Sequence, residues 1–170
     1  MTPEEHFAAA LAGLGFADDP EMVETPRLVT TMLKNFVPDP VLPTTTPLVT
    51  GSTDLVLIRD LPYSSLCAHH LLPFFGTATI LYQPSGAIAG LGWFPKLLKH
   101  LARQPQLQER LSAQLADTIL QTIQPKTVGV RLVARQLCVE MRGANSPGEF
   151  TVISWRGEEP SPTLQSLLHG

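Results

Sequence analysis

From residue 53 onward the chain switches hydrophobic period in a fixed order, and that order limits the folds open to it more than any other feature. Leu55, Leu57 and Asp60 bound an alternating run, and Phe74 to Tyr82 is a second run rich in aromatic, Thr and Ile residues. Residues 93–102 and 106–123 then follow a helical period. The second has Leu107, Leu111, Leu115, Leu120 and Ile123 on a stripe and Pro105 near its start. Val128, Val130, Leu132 and Ala134 return to alternation before Cys138, which this reading places on a strand, and Phe150 to Trp155 is the last strand. Two strands, two helices and two strands predict an α+β domain: an antiparallel four-stranded sheet with two helices on one face.

Proline placement divides the rest. Residues 37–50 form a Pro/Thr connector. Ahead of it, Thr2-Pro3-Glu4-Glu5 is a capping box with Pro at the first helical position. A second helix is expected from Thr25-Pro26 to about Phe36, with Leu28, Met32, Leu33 and Phe36 on one face. The expected organisation is therefore residues 1–50 as N-terminal helices and connector, 51–157 as the main domain, and 158–170 as a tail without strong pattern.

Composition narrows the class. At 170 residues, 44% hydrophobic and 16% charged, the chain suits one sizeable core. That charged fraction is below the roughly 25% usual for soluble domains, which predicts surface covered by further copies, a homo-oligomer. Twelve Lys and Arg against 15 Asp and Glu, with no basic run, argue against nucleic acid as a partner. The longest apolar stretch, Phe7 to Phe16, is about half of the roughly 20 residues a membrane span needs, so no membrane association is expected. Glu4 and Glu5 stand where a secretory signal carries positive charge, and a cytoplasmic location is expected.

Cys67-Ala68-His69-His70 is the densest group of soft ligands, and the only other cysteine is Cys138. Thiolate and imidazole suit zinc, and three protein ligands with one open position describe a catalytic site. Two neighbouring histidines divide labour readily, one coordinating and the other moving protons. A lone Cys-x-His-His is a weak signal, buried free cysteines are common, and an ordinary core is the default reading.

The wider text decides between these readings. Leu66-Cys67-Ala68-His69-His70-Leu71-Leu72-Pro73-Phe74-Phe75-Gly76 is followed by Gly90-Leu91, by Gln104-Pro105-Gln106-Leu107-Gln108-Glu109-Arg110-Leu111, and by Leu137-Cys138-Val139-Glu140-Met141-Arg142-Gly143. These motifs resemble the GTP cyclohydrolase I family in order and spacing, from about Glu24-Thr25-Pro26-Arg27 to Gly143. The resemblance implies the tunnelling fold, assembled into stacked rings, a decamer among the candidates, with active sites at subunit boundaries. It implies Zn2+ held by Cys67, His70 and Cys138, His69 as the proton-transfer residue, and Glu109 with Gln108 gripping a guanine or pterin ring. The implied reaction is hydrolytic opening of the imidazole ring of a guanine nucleotide or related purine, with loss of formate and a pterin-type product.

The departures from the family pattern are concentrated at the site. Ala68 stands where the family has Glu, and Gln136 where it has a second catalytic His; Gln forms hydrogen bonds but cannot act as an acid or base near neutral pH. The family's phosphate-gripping Ser-Lys is Gly92-Trp93, its following Arg is Lys96, and the Arg after Thr-Pro falls at Leu28 with Arg27 adjacent, while Arg142 matches. Trp93 reads equally as a ring-stacking surface or as a hydrophobic contact at a subunit boundary. The expectation is a zinc hydrolase acting on cyclic amidines, its substrate altered, with Arg142, Lys96, Trp93 and Gln136 joining Gln108 and Glu109 in substrate binding. The alternative is a catalytically disabled paralogue that holds a pterin or nucleotide.

Overall fold

The structure is a computed structural model that describes residues 1–169. Chain contacts divide it into two compact units, Met1–Pro38 and Asp39–Gly170. The first unit holds helix α1 (Pro3–Gly13), a single 3-10 turn (Pro20–Met22) and helix α2 (Thr25–Lys34). The capping box forms as read: the Thr2 hydroxyl accepts from the Glu5 amide, and the Glu5 carboxylate accepts from the Thr2 amide at 2.7 Å. On α2 the buried residue is Thr30, whereas Leu28 and Met32 are largely exposed.

The second unit contains strands β1 (Leu48–Val49), β2 (Val56–Cys67), β3 (Pro73–Gln83) and β4 (Ala87–Ile88), followed by helix α3 (Trp93–Ala102). After these come β5 (Pro105–Gln106), α4 (Gln108–Ile123), β6 (Thr127–Gln136), a short helical turn α5 (Leu137–Glu140), β7 (Glu149–Gly157) and α6 (Pro162–His169). The main sheet runs β5-β2-β3-β6-β7; its four long strands are antiparallel, as the element order predicts, and the two-residue β5 adds a fifth, parallel strand at the edge. The connector's end is tied to this unit, because β1 pairs with β4.

One face of the sheet is the core. Tyr63, Phe74, Ala78, Ile80, Tyr82, Val128, Val130 and Leu132 meet Phe94, Leu97, Leu98 and Leu101 of α3 and Leu111, Leu115, Ile119 and Ile123 of α4. The i, i+4 spacing on α4 gives its stripe one continuous contact with the sheet. Gly129 admits the Trp155 ring across the β6–β7 pair, where an added Cβ would lie 2.5 Å from that ring. In β2 the register shifts between Ile58 and Leu61, where Asp60 takes a positive φ of 57°; this bulge interrupts the alternation read from the sequence.

Three local expectations change. Helix α4 starts at Gln108 rather than 106, because Pro105 and Gln106 pair in parallel with Leu66 and Cys67. Cys138 lies on α5 rather than on a strand, since the chain turns as soon as β6 ends. The tail from residue 158 is not patternless: Pro162 opens a helix whose first turn is held by the Ser161 hydroxyl accepting from the Leu164 amide. Leu164 and Leu168, one turn apart, pack on Leu81 with Leu57, Ile153 and Trp155, outside the α3–α4 core. No helix among the described residues is long and apolar enough to cross a membrane.

Candidate metal centre

The site is built where β2 turns into β3. The last rung of that ladder is Leu66 opposite Pro73, and the intervening residues close on themselves. The Cys67 amide donates to the Leu72 carbonyl and the Leu71 amide to the Cys67 carbonyl, both at 2.8 Å. Leu71 adopts a left-handed φ of 55°, a conformation costing a branched residue roughly 1–3 kcal/mol and tolerated where the surroundings fix it. Part of that fixing comes from β5, whose Gln106 carbonyl accepts from the Ala68 amide at 3.0 Å. Gln106 is itself fully buried; its amide reaches the Leu101 carbonyl and Gln114, and Arg110 donates to its Oε1 at 2.6 Å. The sequence reading gave Gln106, Arg110 and Gln114 no role. The signal for Gln106 and Arg110 lies within the Gln104–Leu111 motif and Gln114 falls just outside it, and only the parallel pairing of β5 shows what they hold.

Sheet register brings the second cysteine in. Phe74, at the start of β3, pairs with Gln136, at the end of β6, so the chain emerging from β6 delivers Cys138 to the turn after β2. The ligand atoms of Cys67, His70 and Cys138 all lie within 4.8 Å of one another, the metal-competent cluster found among the described residues. Cys67 Sγ is 3.7 Å from His70 Nδ1; a tetrahedral zinc with ordinary bond lengths separates sulfur and nitrogen ligands by about 3.6 Å. Two sulfurs and an imidazole also match zinc's preference in donor type. The residues present therefore fit a zinc ion, with the buried Cys67 beneath and the exposed His70 at the rim.

The electrostatics agree with that fit. Burial pushes the Cys138 thiol above its usual value, and the neighbouring Cys67 sulfur adds to this through a hydrogen bond and its charge, while Arg142 pulls the other way. A Cys138 sulfur raised in this way ionises readily only when a cation joins it. The α5 turn carrying Cys138 is clamped by Arg135, which donates to both Glu140 oxygens at 3.0 and 2.6 Å.

The other expected residues divide into two groups. His69 stands beside the cluster, its Nδ1 4.0 Å from Cys67 Sγ and its ring 6.0 Å from that of His70. The Arg142 guanidinium lies against His70 Nε2. Gln136 donates from Nε2 to Gln108 Oε1 at 2.7 Å, and its own Oε1 accepts from Cys138 at 3.9 Å. Gln108 is not free to grip a ring: it is buried, and its Nε2 donates to the carbonyls of Leu132 and Phe150. Glu109 and Lys96 are exposed on the first turns of α4 and α3. Trp93 is no stacking surface in this chain. It is 5% exposed, packs edge-on against Phe94, and donates its indole N–H to the Pro43 carbonyl at 2.8 Å.

Comparison with known proteins follows the same outline. The sequence profile of GTP cyclohydrolase I matches residues 4–163. The GTP cyclohydrolase 1 of Corynebacterium glutamicum is 38% identical over 162 residues, covering 89% of this chain and 83% of that protein. Those of a Janthinobacterium species and of Aquifex aeolicus are 48% and 45% identical over 101 and 104 residues. In these two alignments the chain spans only about half of the relative, 51% and 56%. Among solved structures, an archaeosine synthase QueF-Like protein superposes with a TM-score of 0.50 at 20% identity, over 64% of this chain and 99% of that one, which supports the tunnelling fold. The paired sulfurs, the α+β topology and a profile match over nearly the whole length lead to one assignment: this chain belongs to the GTP cyclohydrolase I family.

Proposed function

We propose that the chain is a zinc-dependent cyclohydrolase that opens the imidazole ring of a guanine nucleotide or related purine, with a substrate carrying fewer phosphates than GTP. The observation that carries this reading is the convergence of Cys67, His70 and Cys138 from the C-terminal ends of β2 and β6, the two strands that flank β3. A divalent ion in that seat supplies Lewis acidity, lowering the pKa of water from about 15.7 toward 7. The protein's own residues do the rest. His69, exposed beside the cluster, moves the protons. Glu109 accepts two hydrogen bonds from the edge of the purine and orients it. Arg142 balances negative charge on the ligand.

The case for an altered substrate rests on charge. At the expected phosphate grip Gly92 carries none, Trp93 is buried, and Lys96 is the remaining cation on that turn of α3. The zinc-loaded enzyme is further proposed to work as a homo-oligomeric ring. A second reading, a disabled paralogue that binds a pterin or nucleotide, is favoured by Gln136, whose amide serves as neither acid nor base near neutral pH.

Purified protein is assayed for zinc, then incubated with GTP, GMP, guanosine and guanine while formate release and pterin absorbance are followed. Formate from a purine with fewer phosphates than GTP supports the proposal. Bound zinc with no turnover of any of the four overturns it in favour of the second reading. His69→Ala is expected to abolish turnover and leave zinc in place; surviving activity removes His69 from its role.

A further inference from the structure

We infer that Gln108 is a positioning residue that fixes which way Gln136 faces, so that position 136 presents a carbonyl oxygen, a pure acceptor, toward the Cys67–His70–Cys138 cluster. The argument runs outward from the backbone. The carbonyls of Leu132 and Phe150 belong to the adjacent strands β6 and β7 and can only accept hydrogen bonds. Gln108 is 3% exposed and meets them at 3.0 and 2.9 Å, so its amide nitrogen must be the end that faces them; the reversed amide would bury its oxygen against two carbonyl oxygens.

That leaves Gln108 Oε1 as an acceptor on the other side, 2.7 Å from the end of Gln136. Only a donor satisfies it, so Gln136 turns its Nε2 there. Gln136 Oε1 is thereby aimed at the cluster, 3.9 Å from the Cys138 sulfur. Two side-chain amides thus relay a direction set by the sheet backbone. The residue at 136 offers the site an acceptor for an N–H or O–H of the ligand, where a histidine would offer a proton. The use of that acceptor by a purine rests on the reading proposed above; the amide orientation itself does not.

The zinc-loaded protein is the demanding case, since a thiolate at Cys138 competes for the Gln136 N–H groups. The test follows side-chain amide hydrogen exchange by nitrogen-15 NMR in that state, with exposed Gln121 as the internal reference. The amide protons of Gln108 and Gln136 are expected to exchange at least about tenfold more slowly than those of Gln121. Gln108→Met, which fills the space without an acceptor, is expected to return Gln136 to the Gln121 rate. Gln108→Glu keeps an acceptor facing Gln136 and is expected to retain its protection, even though the Leu132 and Phe150 carbonyls lose their donor and stability falls. A residue serving only as packing would move Gln136 equally in both variants, and that result overturns the inference. So does a Gln136 amide exchanging like Gln121 in the parent protein, a measurement that stands even if Gln108→Met fails to fold. A protected Gln136 in a protein inert toward every purine sinks the functional reading and leaves this one intact.

Discussion

The turn between β2 and β3 and the first turn of α3 stand in contrast. The turn holds Cys67 and His70 within reach of Cys138, sets His69 beside Cys67, and keeps both histidines exposed. The start of α3, where the family resemblance implies a grip on phosphate, has become interior: Trp93 and Phe94 are buried and Pro43 takes the indole N–H. A metal-ligand set depends on a few donor atoms and tolerates no replacement of them, whereas a phosphate grip is summed from several cations and can be thinned one residue at a time. The two regions can therefore diverge independently, and each substitution below tests that independence.

The largest effect is expected at the cluster. Sharing the roughly 10–16 kcal/mol of a structural zinc site among its ligands gives about 4 kcal/mol apiece, so Cys138→Ser should weaken zinc on the order of 10³-fold. Metal analysis after dialysis against a weak chelator reads this, and unchanged zinc content would remove Cys138 from the ligand set. Trp93→Ala should leave zinc content unaltered and lower folding stability by about 3 kcal/mol, read by denaturant titration, because it empties a core position. If zinc were lost along with stability, the two regions would be coupled and the contrast would fail.

Gln136→His should raise turnover of a guanine substrate by about 10²-fold, measured as formate release, since Gln108 Oε1 is already placed to receive a ring N–H and hold the imidazole. A drop in turnover would mean the site has adapted to the amide. A smaller effect concerns pH. Because burial raises the Cys138 thiol, the folded chain favours the neutral form. In zinc-free protein that contribution is fully present at neutral pH and is lost as pH climbs past the ordinary thiol range and through the raised value. Melting curves from pH 7 to 10 should show the decline, and zinc should abolish it. Smallest is Glu140→Gln, which loosens the Arg135 clamp on α5 and should weaken zinc about two- to threefold at neutral pH. Arg135 holds the Glu140 carboxyl below its usual value, so in zinc-free protein the small stability difference between parent and Glu140→Gln, read by denaturant titration, is present near neutral pH and should vanish as pH falls through that lowered value.

Much of the fold was legible because its signals are local. Helix α3 spans the residues its period predicts, and the Thr2 cap needs only Glu5, three residues away. Cys67 and His70 share one turn, so their association is written in their spacing. The illegible parts depend on partners distant in the chain. Two-residue β5 has no periodicity and exists through Leu66 and Cys67. Helix α6 carries few apolar residues and is held by packing on Leu81. Trp93 reads from sequence equally as a ring-stacking surface or as a contact at a subunit boundary, and it packs inside the chain with the connector's Pro43 carbonyl accepting its indole N–H.

The amino-acid sequence alone determined the kinds of donor atom present, the order of strands and helices, and the family resemblance, since side-chain chemistry and hydrophobic period are properties of the chain read residue by residue. Only the tertiary structure decided that Cys138 reaches Cys67, that Gln108 faces two backbone carbonyls, and that Gln136 therefore turns its oxygen to the cluster. Those outcomes follow from the β3–β6 register and from the direction of buried amides, and neither exists until strands far apart in the chain have paired.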